Sequence, residues 1–183
     1  MRHPFQSISP ERMPRYLIPL ILLTLLSMFI LNLLGSSLNT AAAPSGIISF
    51  ELAGDPAIST AIIDSWDPTS QMIASLSLGL DYLFLFIYST TIAMGCIWAM
   101  NAFISKPSFY LSVGILLAWG QGLAALLDAV ENAALLRLLL DGIQSPWPQL
   151  AQTCAVIKFA LIALGLIYIA LGAIMKAVER ARR

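Results

Sequence analysis

Four long apolar runs constrain this chain more than anything else in it. They are "YLIPLILLTLLSMFILNLLG" (16–35), a run over 71–103 that contains "SLSLGLDYLFLFIYSTTIAMGCIWAM", a third over 110–141 and a fourth over 149–178. About 20 apolar residues in a helix cross the hydrocarbon core of a bilayer. In lipid only helices and closed barrels satisfy their own backbone polar groups, and these runs far exceed the roughly 9–11 residues of a barrel strand. They predict four transmembrane helices. With 58% of residues hydrophobic and 11% charged, the chain has no polar shell for a soluble domain.

The connections fit this reading. Lys106-Pro107-Ser108 interrupts the chain between the second and third runs, Gly142 follows Asp141 as a helix stop, and "SPWP" (145–148) opens the fourth run. Runs two, three and four each exceed about 40 Å as continuous helices, so they are expected to tilt or protrude. Arg2, Arg12 and Arg15 precede the first run, Lys106 lies between the second and third, and Lys176, Arg180, Arg182 and Arg183 close the chain. The stretch 36–70 has no Lys or Arg but holds Glu51, Asp55, Asp64 and Asp67. By the positive-inside rule both termini (1–15 and 179–183) are cytoplasmic, and 36–70 is an outer loop. The expected location is the plasma or inner membrane. A rival reading treats the Arg-rich start, the first run and "TAAAP" (40–44) as a signal peptide with its cleavage site. The first run, about 19 residues, is longer than the 7–15 of a signal-peptide core, which favours a span.

The outer loop carries its own pattern. In "GIISFEL" (46–52), Ile48, Phe50 and Leu52 alternate with Ser49 and Glu51, which predicts a short extended piece. Asp55 and Pro56 then open a short amphipathic helix over 56–66, with Ile58, Ala61, Ile62 and Trp66 on its apolar face. Trp66 and Trp147 suit the outer interface, and Trp98 and Tyr110 the inner one. Gly114, Ala118 and Gly122 recur every four residues in the third run; with Gly165 and Gly172 in the fourth they mark close helix packing. The fold class is therefore an all-α integral membrane protein. It is read as a single-domain four-transmembrane-helix bundle, termini inside, with a short amphipathic helix in the first outer loop.

Ionisable residues inside the spans are the functional lead. Counting along each helix sets Asp81, Glu131 and Lys158 roughly 13–15 Å below the outer end of their spans, with Asp128 about 20 Å down. Charges at such depth cost several kcal/mol if they face lipid, so they should turn toward one another or toward water. Asp128, Glu131 and Asn132 share one helix face, Asp81 and Tyr88 share another, and Lys158 is the expected counter-ion of Asp81 or Glu131. Arg137 either reaches the interface or pairs with Asp141. Ion pairs of this kind also tie helices together without binding anything. Three acids to one lysine, however, is more than a structural pair requires.

Several chemistries drop out. His3 is the single histidine, and Cys96 and Cys154 form no CxxC, so no haem and no His- or Cys-ligated metal is expected. A site built from Asp, Glu and Asn oxygens would suit magnesium or calcium instead. The composition carries no nucleic-acid fingerprint. The layout resembles the claudin plan of four spans with a long first outer loop, but 36–70 lacks the cysteines of that family's loop disulfide. The vitamin K epoxide reductase family also uses four spans but relies on a CxxC. "DAVENAALL" (128–136) resembles the acidic helix of bacterial diacylglycerol kinase over those few residues. None of these resemblances carries site residues across.

The leading expectation is a non-enzymatic membrane protein binding or conducting a small cation, a proton or an amphiphile. Its site would comprise Asp81, Asp128, Glu131 and Lys158, supported by Tyr88 and Asn132. A second expectation is a membrane enzyme on a lipid-like substrate with Glu131 or Asp128 as general acid/base. A third is an accessory subunit whose cluster meets a partner helix or a second copy of the chain.

Overall fold

The computed structural model describes residues 2–104 and 107–182, and the described regular structure is all helical. Lys106 and Arg183, two of the charges used for orientation, lie outside the described residues. In chain order the helices are α1 (Met13–Gly35), α2 (Ile47–Glu51), α3 (Pro56–Asp64), α4 (Pro68–Met100), α5 (Ser108–Leu140) and α6 (Trp147–Ala181). The spans containing α1, α4, α5 and α6 are long and apolar enough to cross a membrane.

Polar caps set where these helices begin and end. The Asp55 carboxylate accepts from the amides of Ala57 and Ile58, with Pro56 in the first turn of α3. Asp67 does the same for α4, accepting from Ser70 N at 2.7 Å. Each cap satisfies amides that a helix start would otherwise leave orphaned. Gly142 adopts φ +86° just beyond α5, a left-handed conformation that glycine reaches without strain and that stops the helix.

The chain divides into two compact units, and every long helix contributes residues to both. One unit combines Met1–Thr24, Ile87–Ala125 and Phe159–Arg183. Its helices meet through small residues: a Cβ on Gly172 would lie 2.9 Å from Ala99 Cα, and one on Gly114 would meet the Tyr168 ring. Gln121 Nε2 donates to Leu161 O at 3.0 Å, and the Thr24 and Thr91 hydroxyls bond at 2.9 Å, linking α5 to α6 and α1 to α4. Lys176 donates to Trp98 O and sits 3.6 Å over the Trp98 ring. His3 is buried against Trp119, at 4.9 Å between ring centroids, and that burial lowers its pKa. Gly122, expected at a packing face, has no atom within 4 Å of a Cβ built on it. Steps of four drift around a helix of 3.6 residues per turn, so the buried stripe passes to Gln121 and Ala124 instead.

The other unit combines Leu25–Phe86 and Leu126–Lys158. Its core gathers Leu38, Phe50, Ile62, Trp66, Leu78, Leu135 and Leu138, among others. Trp66 is a core residue here rather than an interface anchor. Its indole donates to Leu38 O at 2.8 Å, and its ring meets Phe50 edge-on at 5.5 Å. The inward face of α3 is Ser59 and Ile62, while Ile58 is 51% exposed and Ala61 is exposed too, a rotation from the expected face.

The largest departure is at 46–52, where α2 replaces the expected extended piece. Gly46 enters it at φ +56°, and Phe50 and Glu51 turn inward while Ile48 and Leu52 stay 47% and 39% exposed. Alternation over seven residues also fits a single helical turn, in which Ile47, Phe50 and Glu51 share a face. Glu51 is thereby brought to the inside.

Candidate functional site

Helix α5 is an inverted amphipath within the second unit. Asp128, Glu131 and Asn132 are 2%, 0% and 1% exposed, whereas Leu126 and Val130 are 67% and 45% exposed. Leucine faces out and charge faces in. Such a surface is stable only where the outside is apolar and the inside supplies partners.

Lys158, on α6, supplies them. Its Nζ donates to Asp128 Oδ1 at 2.7 Å and to Glu131 Oε1 at 2.9 Å. Glu51 Oε2 lies 3.6 Å from the same ammonium, so carboxylates from α2 and α5 surround one lysine. Of the two counter-ions expected for Lys158, Glu131 is the one it takes, and Asp81, on α4, instead accepts at Oδ2 from Asn132 Nδ2 at 2.6 Å. A lysine already held by Asp128 and Glu131 leaves the carboxamide, next to Glu131 in sequence, as the donor for Asp81. Tyr82 donates to Ala129 O at 3.0 Å, a second polar tie between α4 and α5. Tyr88 is buried but belongs to the first unit. Arg137 pairs with Asp141 at 3.8 Å, both side chains well exposed, and its guanidinium lies 5.3 Å over Trp147.

Excess carboxylate leaves polar atoms unmatched. Among the described residues, Glu51 Oε2 and Glu131 Oε2 are buried without a hydrogen-bond partner in the protein. Burial pushes the Glu51 carboxyl pKa up, outweighing the pull of the Lys158 ammonium. Cys96 and Cys154 are buried free thiols.

A cavity of about 300 Å³ reaches this cluster. Glu51, Asp81, Asn132, Ser77, Asn32 and Asn39 give it a polar wall, and Leu31, Ile47, Leu78 and Phe84 an apolar one. Asp128, Glu131 and Lys158 do not line it. The cluster therefore has a lysine held by Asp128 and Glu131 within the protein and Asp81 on the cavity wall, with Glu51 bridging the two: it lines the cavity and turns its Oε2 to Lys158. Among the described residues no group of three or more His, Cys, Asp or Glu side chains is arranged to hold a metal ion.

Two features of the wall escaped the sequence. Glu51 was hidden by the strand-like alternation around it. Asn32 is the one amide within the first apolar run, a signal that intramembrane polarity alone could have raised. Comparison with protein-family models, with curated proteins and with solved structures gave no match to this chain.

Proposed function

We propose that this chain is a multi-pass protein of the cell membrane whose acidic cavity takes up a positively charged group from a small cation or an amphiphile. Four apolar helices support the membrane reading. Basic residues at both ends, set against a loop 36–70 free of Lys and Arg, support cytoplasmic termini and a cavity on the outer side.

One observation carries the functional reading. Glu51 and Asp81 face a cavity whose described lining contains no Lys or Arg, and Lys158 behind it bonds Asp128 and Glu131 more closely than it approaches Glu51. A site with carboxylates in its wall and its lysine held behind them favours a cation or a protonated amine over an anion. Acid–base catalysis by Glu131 or Asp128 is the weaker reading, because neither side chain lines the cavity. A partner-subunit role draws on α1, whose central window has none of its residues buried by the rest of the chain.

The test is the thermal midpoint of the protein in lipid nanodiscs, titrated with octylamine and, in parallel, with octanol. The amine should stabilise saturably and the alcohol should not. Asp81→Asn should weaken the amine response about tenfold or more, the scale of a lost charge-assisted hydrogen bond. Equal responses to amine and alcohol would remove the acidic cavity as a cation site.

A further inference from the structure

A cavity of about 760 Å³ lies in the first unit, where the chain enters α1. Small-molecule sites span roughly 300–1,000 Å³, so it is large enough to hold one. Arg12 and Arg15 line it, at the spacing that puts side chains on one helix face. Met13, between them, is 1% exposed and anchors the start of α1. Among the described residues, neither guanidinium has a carboxylate within ion-pairing distance or makes a hydrogen bond. Glu11 is the one acid in the lining, set against two arginines, so the wall is net positive.

The other end of the cavity is apolar. Pro19, Leu20 and, from α4, Met94 line it. Leu20 lies beyond Met13 by about 10 Å along α1 at the standard helical rise. The lining therefore runs from arginine at the start of a membrane-length helix to side chains within its apolar run. Tyr16 stands between the two ends and is 49% exposed, which suits the headgroup level of a bilayer. Pro19 has no N–H, so the Arg15 carbonyl lacks the amide that would bond it in a regular helix. Two uncommitted guanidiniums, a spare acceptor and an apolar floor match a phosphate diester that carries hydroxyls on one side and acyl chains on the other. A free phosphate ion would leave Pro19, Leu20 and Met94 uncovered.

We propose that this cavity binds an anionic phospholipid. Its phosphate is held by Arg12 and Arg15, and the start of its acyl chains lies on Pro19, Leu20 and Met94. Guanidinium donors match phosphate oxygens in pairs, and they bind best where no carboxylate competes for them. Anionic lipids give the cytoplasmic leaflet its negative surface, and the membrane reading above puts this end of α1 on that side. The proposal rests on that reading and is independent of the acidic cavity.

The full chain in detergent is titrated with dioleoyl phosphatidylglycerol or dioleoyl phosphatidylcholine, and bound lipid is counted by native mass spectrometry. Phosphatidylglycerol should bind about tenfold more tightly, the scale of a hydrogen bond to a charged group. Arg12→Gln and Arg15→Gln, both at exposed positions, should each reduce that preference, and Arg180→Gln, near the end of α6, should leave it unchanged. Equal binding of the two lipids, or an equal loss in Arg180→Gln, would overturn the site. Displacement of phosphatidylglycerol by an equal concentration of glycerol 3-phosphate would assign the cavity to a soluble phosphate ester and overturn the lipid. Vesicle flotation separates this proposal from the membrane reading. A chain that floats with both lipids but prefers neither loses only this site, and one that floats with neither loses the membrane reading as well.

Discussion

At the residue scale, Lys158 and Glu51 do different work. Lys158 bonds both Asp128 and Glu131 in the interior, so removing it takes the ammonium away from two buried acids at once. Lys158→Met should destabilise the protein by about 3–5 kcal/mol, the usual cost of breaking one side of a buried ion pair. Differential scanning fluorimetry in detergent reads this directly, and a wild-type midpoint would contradict it. Glu51 titrates in the opposite sense from a salt-bridged surface acid. Because burial raises its pKa, the folded chain holds more protons than the unfolded one above the ordinary value of 4.5. Stability then falls as pH rises from 4.5 through the raised value. The groups that set this balance are Lys158, Asp128 and Glu131. Glu51→Gln should flatten that decline, and an unchanged slope of midpoint against pH would contradict the assignment. Asp128, Glu131, Asn132 and Lys158 were legible in sequence as charges and an amide inside apolar runs. Glu51 was not, since its inward direction depends on a single helical turn that alternation disguises.

At the scale of elements, hydropathy located all four long helices, but their starts were set by polar residues that hydropathy passes over. Asp67 and Pro68 begin α4 ahead of its apolar run, and Gly142 follows the end of α5. Turn and cap chemistry was readable; the rotation of a short helix was not. Helix α3 appears where Asp55 and Pro56 announce it, yet Ser59 rather than Ile58 faces inward. Nine residues give too few apolar positions to fix a face. Small residues invite a paired test. Gly172→Ala forces a methyl against the Ala99 backbone and should cost about 1–3 kcal/mol. Gly122→Ala meets open space and should be neutral or stabilising by up to about 1 kcal/mol through helix propensity. Similar midpoints for the two variants would sink the packing assignment.

Taken as a whole molecule, the chain sets leucine outward and carboxylate inward along α5, an arrangement that water would not tolerate and a bilayer would favour. The layering of charge, lysine bound within and acids on a cavity wall, is the central claim. Carbodiimide modification read by peptide mass spectrometry tests it most directly, because the reagent labels carboxyls it can reach. On the protein in nanodiscs, Asp81 should be modified, Asp128 and Glu131 spared, and octylamine should protect Asp81. Modification of Asp128 and Glu131 as fast as Asp81, or no protection by the amine, would contradict it.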